Sequence, residues 1–200
     1  VVVLFWKKLL KNRQIFLITI LSFIPTGILG LTFYKVVKGY LLGNSFVTVG
    51  ALLIGGLAII LLERYSAPKT QGKDITALTI PQALGIGLIQ SVSMIPGVSR
   101  AAATIFGGMF LGLNRSAAVE FSFLLAIPTM AAAAGFDLLK TSHTYSSSEI
   151  TALAVGFVTA FITALIVVKW FIRFVQTSNL IPFGIYRIVL AVVFFLFFIL

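Results

Sequence analysis

The chain has 200 residues, of which 60% are apolar and 10% charged, with a mean hydropathy of +1.12. A soluble domain of this length has too little interior to hide that much apolar surface, so the composition points to a membrane. Its net charge of +10 is scattered between apolar runs and forms no basic stripe with interleaved aromatics, which excludes a nucleic-acid binder. The absence of cysteine excludes disulfides, thiolate metal sites and a cysteine nucleophile.

In chain order, Val1 to Trp6 is an apolar stub ahead of Lys7, Lys8, Lys11 and Arg13, far shorter than the ~20 residues a span needs. The chain is therefore expected to begin inside a helix, as a fragment. Ile15 to Val37 is the first whole span, broken by Pro25 and Gly27, and Phe46 to Leu62 is the second, stopped by Glu63 and Arg64. Residues 63–76 read as a polar loop. Ala77 to Leu113 is apolar but interrupted by Pro96-Gly97-Val98-Ser99-Arg100, so it predicts two helices joined by a polar turn at membrane depth. They form either a re-entrant hairpin or two crossings. Ala117 to Leu139, Ile150 to Trp170 and Ile185 to Leu200 follow as spans, with an exposed loop at 140–149 and a loop carrying Lys169 and Arg173.

Lys7, Lys8, Lys11, Arg13, Arg64, Lys69 and Lys73 fall on one side of these crossings with Arg115, Lys169, Arg173 and Arg187. Only Lys35, Lys38 and Lys140 fall on the other. The first side is therefore expected to be cytoplasmic. Three crossings precede the hairpin and three follow it, which inverts the second triplet relative to the first. The expected fold is all-α: a polytopic transmembrane bundle forming one membrane domain over 1–200. Residues 1–62 are the remainder of a truncated first repeat. Residues 77–200 are a complete second repeat with its hairpin at 77–113. The partner hairpin belongs upstream of residue 1. The echo of Ile24-Pro25-Thr26 in Ile127-Pro128-Thr129 pairs a second span with a first and is read as chance.

The chemistry concentrates at the turn. Pro96 and Gly97 stop one helix, and Ser99 is a good N-cap for the next. A helix N-terminus leaves backbone N–H groups unpaired and favours an anion. Arg100 and Thr104 share a helix face, so the guanidinium and both hydroxyls beside free amides at Gly97 make a phosphate cradle. A snorkelling Arg100 is the structural alternative. Glu120 is a carboxylate inside an expected span, where it complements a helix dipole in a first turn or takes part in function. His143 lies in a polar loop and reads as solvated surface. No metal-ligand cluster, carboxylate pair or Ser/His/Asp set can be assembled from the chain.

The run QALGIGLIQSVSMIPGVSRAAATIFGGMFLGLNRSAAVEFSFLLAIPTM, with Phe136-Asp137 and Lys140 and with Pro182-Phe183-Gly184-Ile185-Tyr186-Arg187, resembles a known family. It is that of the bacterial undecaprenyl-diphosphate phosphatases associated with bacitracin resistance. The resemblance covers essentially the whole chain. Ser99, Arg100 and Thr104 match the family's PGxSRSGxT signature, and Ala101 and Ala102 replace its second Ser and its Gly. The resemblance implies hydrolysis of undecaprenyl diphosphate to the monophosphate and inorganic phosphate, with catalytic roles for Ser99, Arg100 and Thr104 and substrate binding by these three and Gly97. Either Ser99 or an upstream residue is the nucleophile. The family's glutamate-rich first signature has no counterpart here, which implies a divalent cation (Mg or Ca) with its ligands upstream of residue 1 and an inactive fragment. The implied partners are a polyprenyl diphosphate and membrane lipids, in the bacterial inner membrane. The rival reading is an inverted-repeat transporter or lipid flippase.

Overall fold

The computed structural model describes residues 1–65, 72–140 and 146–198, so His143 lies outside the described residues. Helix dominates. Helix α1 (Val2–Lys11) runs on through Lys7 and Lys8, and α2 (Arg13–Thr32) follows at once. The break needs only Asn12, whose side chain accepts from the N–H groups of Gln14 and Ile15 and caps α2. A short α3 (Tyr34–Val36) continues into a π turn at Val37–Leu41, and α4 (Ser45–Tyr65) returns across the apolar layer.

Helices α5 (Ile80–Gln90) and α6 (Arg100–Phe110) have 11 residues each. At 1.5 Å per residue each is about 16 Å long, too short to cross a hydrocarbon layer of roughly 30 Å. The pair is thus a re-entrant hairpin. Its foot is closed by Gln82, which completes a capping box with Thr79 at the start of α5 and donates to Leu111 O at the end of α6, 2.6 Å away. Its tip is a short 3₁₀ turn, Ser91–Met94, followed by Ile95-Pro96-Gly97-Val98.

Helix α7 (Arg115–Lys140) starts on an Asn114 cap and packs along α6 and α2, and among the described residues it carries a larger share of the buried core than any other helix, including Phe121, Leu124 and Leu125. Helix α8 (Ser147–Thr177) is longer than expected. The chain from Trp170 to Thr177 contains no breaker, so Lys169 and Arg173 sit in the helix and not in a loop. Its stretch from Ser147 to Ala164 is exposed at every residue. Helix α9 (Ile181–Phe198) begins beside Pro182 and packs antiparallel on α4. Among the described residues α2, α4, α7 and α8 are long and apolar enough to cross a membrane, and α9 is a shorter apolar helix. The chain is an all-α membrane protein.

Glu120 and the two Ile-Pro-Thr segments have defined partners. Glu120 lies in the second turn of α7, not the first, and its carboxylate meets Lys8 Nζ at 2.6 Å, which gives it a structural role. The two Ile-Pro-Thr segments converge: Gln90 Nε2 donates to Thr26 Oγ1 at 3.0 Å and to Thr129 Oγ1 at 3.2 Å. One buried amide therefore ties the hairpin to both proline-containing helices. In an apolar layer such polar ties have no water to compete with them.

Candidate active site

The tip of the hairpin is built by its sequence. Pro96 presets φ at the second position of a four-residue turn, and Gly97 follows with φ of +93°, a left-handed conformation that side chains with a Cβ resist. Val98 N donates to Ile95 O at 3.0 Å and closes the turn. Gly97 also lies against α4, where a Cβ would press on Thr48 O and Ala51. Ser99 follows as the N-cap of α6, its Oγ accepting from Ala102 N at 3.2 Å. The N–H groups of Arg100 and Ala101 have no acceptor among the described residues, which leaves two amide donors at a positive helix end.

Arg100 and Thr104 come together on one residue of α7. Arg100 Nη1 donates to Ser122 O at 3.2 Å, and Thr104 Oγ1 lies 2.6 Å from Ser122 Oγ. Thr104 is fully buried, and its hydroxyl also reaches Arg100 O. It therefore fixes α6 against α7 beneath Arg100. Ser99 faces two mostly apolar clefts on the other side of α6, of about 220 and 260 Å³, both of which Arg187 lines as well.

Arg100 has only a carbonyl as protein acceptor, and no described carboxylate approaches it. The acids that could have done so are engaged at the foot and sides: Glu63 with Arg115, Glu120 with Lys8, and Asp74 with Ile75 N. Arg100 lines neither cleft, and the guanidinium that shares both clefts with Ser99 is that of Arg187, so the groups of the hairpin tip are guanidinium, hydroxyl and amide donors. Such a set fits a phosphate and does not fit a divalent cation, which requires oxygen anions. Among the described residues no three His, Asp or Glu side chains come together to hold a metal.

The family model of the bacitracin resistance protein BacA matches residues 1–193. The chain belongs to this family. Curated relatives agree along the whole length. An undecaprenyl-diphosphatase of Aquifex aeolicus is 47% identical over 198 residues, covering 99% of this chain and 77% of that protein. One from Persephonella marina is 46% identical over 198 residues, with 98% and 77% covered. One from Thermus thermophilus is 41% identical over 199 residues, with 99% and 76% covered.

Arg187, which the charge pattern places on the cytoplasmic side at the start of the last span, lies inside α9 and reaches the hairpin tip. No local signal pointed to this, because its acceptor is 90 residues away.

Proposed function

We propose that this protein hydrolyses undecaprenyl diphosphate to undecaprenyl phosphate and inorganic phosphate, recycling the lipid carrier for peptidoglycan synthesis and conferring resistance to bacitracin. The observation that carries this reading is the guanidinium of Arg100, held within an apolar bundle at a capped helix N-terminus with no carboxylate to neutralise it. A half-buried cation in apolar surroundings, with no described carboxylate beside it, favours an anion. The relatives' name supplies the identity of that anion, and it favours hydrolysis over the transport alternative.

In this reading the diphosphate enters at the hairpin tip while the prenyl chain stays among the apolar helix faces. Arg100 grips two phosphate oxygens through the fork that Ser122 O holds in place. The free amides of Arg100 and Ala101 and the Gly97 turn approach the same group. Ser99 Oγ accepts from Ala102 N and keeps its own proton to donate to a phosphate oxygen. Thr104 acts through Ser122 and the carbonyl of Arg100. In the net reaction the oxygen of water bonds to the terminal phosphorus and the bridging P–O bond breaks, with the electron pair leaving on the lipid monophosphate and the protons of water passing to the two phosphate products and the solvent. The donors stabilise the charge spread over the transferring group, a preorganised electrostatic contribution. The setting we propose is the bacterial inner membrane.

Phosphate release from undecaprenyl diphosphate in detergent tests this, in a preparation free of host phosphatase. The chain should turn over when joined to the portion of the Aquifex relative that lies outside the match. Lipid movement without phosphate release by the joined protein would overturn the reading in favour of transport.

A further inference from the structure

We propose that Arg187 is a positioning residue that clamps the hairpin tip and so sets the placement of Ser99 and the N-terminus of α6. Its Nη2 donates to Gly97 O at 2.6 Å and to Ala51 O at 3.2 Å, so one guanidinium joins α9, α4 and the tip. The acceptor is a telling one. The C=O of Gly97 and the N–H of Val98 belong to a single peptide plane, and that N–H closes the turn on Ile95 O. Peptide planarity means that holding the carbonyl fixes the direction of the N–H as well. Arg187 thus secures the turn in the left-handed conformation of Gly97, two residues before the cap.

The surroundings are cut to this role. Gly55 on α4 faces the guanidinium, and a Cβ there would collide with Nη2. No described carboxylate pairs with Arg187, so its acceptors are the backbone of the tip and of α4 alone. A planar, multi-donor group is suited to holding two carbonyls at once, whereas an ammonium on a flexible stem satisfies them less rigidly. As it also lines both clefts that Ser99 faces, its charge adds to the field at the tip.

The structural half of this proposal stands without the phosphatase reading, and the catalytic half rests on it. The chain has no cysteine, so Val98→Cys carries a single nitroxide label at the tip. In the labelled chain Arg187→Gln and Gly55→Ala should both mobilise the label, and Arg187→Lys should do so less. Gly55→Ala keeps the charge and only displaces the guanidinium, so it preserves the test if Arg187→Gln fails to fold. In the joined, active protein Arg187→Gln should lower kcat by about tenfold or more with little change in KM, with partial rescue by lysine. An unchanged label spectrum in both variants, with helix content intact, would overturn the clamp. A large rise in KM with kcat unchanged would overturn the positioning role and make Arg187 a substrate contact. A mobilised label in a parent that releases no phosphate would uphold the clamp and sink the phosphatase reading alone.

Discussion

At the foot of the hairpin Arg115 meets Glu63 at 2.5 Å, whereas at the tip Arg100 and Arg187 meet only carbonyl oxygens among the described residues. Both regions withdraw guanidinium groups from water, and the side chains at the foot are almost wholly buried, at 3% and 5% exposure. The foot offsets that cost within the chain, with a carboxylate of opposite charge. The tip does not, and it carries two positive charges beside free amides. The difference separates an arginine kept for architecture from arginines kept for an anion that arrives from outside. It also explains why similar residue types at Arg115 and Arg100 have dissimilar roles although only a few helical turns separate them.

Breaking the foot should have the largest effect on stability. Glu63→Ala leaves Arg115 buried and unpaired, at an expected cost of about 3–5 kcal/mol in a denaturant titration in detergent. Replacing both partners together, Glu63→Leu with Arg115→Met, should recover most of it. A single-variant loss below about 1 kcal/mol would mean that water reaches the foot.

A smaller effect is expected beneath the tip. Thr104→Val keeps the shape and removes the hydroxyl that lies against Ser122, which should cost on the order of 1 kcal/mol in stability. Turnover should fall by about tenfold, as Arg100 loses its footing without losing its charge. Comparing Thr104→Val with Thr104→Ser, which keeps the hydrogen bond, isolates that contribution. Equal turnover by the two variants would detach Thr104 from the site.

The smallest effect belongs to the side of the bundle. Lys8 and Glu120 are partly exposed, so Lys8→Ala should cost no more than about 0.5 kcal/mol and less in high salt. A salt-independent loss several times larger would show that α1 is anchored by this pair.

The tip was more legible in the sequence than the foot, for a physical reason. Pro96, Gly97, Ser99 and Arg100 act through their immediate neighbours, by fixing φ, allowing a left-handed turn, capping a helix and placing a charge in an apolar run. Adjacent residues suffice to read such effects. The pairing of Glu63 with Arg115 spans 52 residues, and that of Arg187 with Gly97 spans 90, so neither leaves a local trace. Gln90 shows the same limit, because only packing of three helices reveals that Thr26 and Thr129 share one amide. The long apolar runs located the membrane helices, but charges marked their ends poorly. Lysines at positions 7, 8 and 169 stay helical because no cap or breaker lies beside them until Asn12 and Ser178. The choice between a hairpin and two crossings turned on helix lengths and on the bond from Gln82 to Leu111.

The central claim is that Arg100 holds a phosphate, and replacing it by lysine tests this most directly. Lysine preserves the charge and could snorkel equally well, but it lacks the planar two-point fork. Phosphate release should be measured for Arg100→Lys and Arg100→Ala in the joined protein, after expression and membrane insertion are shown to match the parent. Both variants should lose on the order of a hundredfold or more in turnover, the scale of a lost transition-state electrostatic contact. Near-normal turnover by a well-inserted Arg100→Lys protein would contradict the account and return Arg100 to a purely structural role.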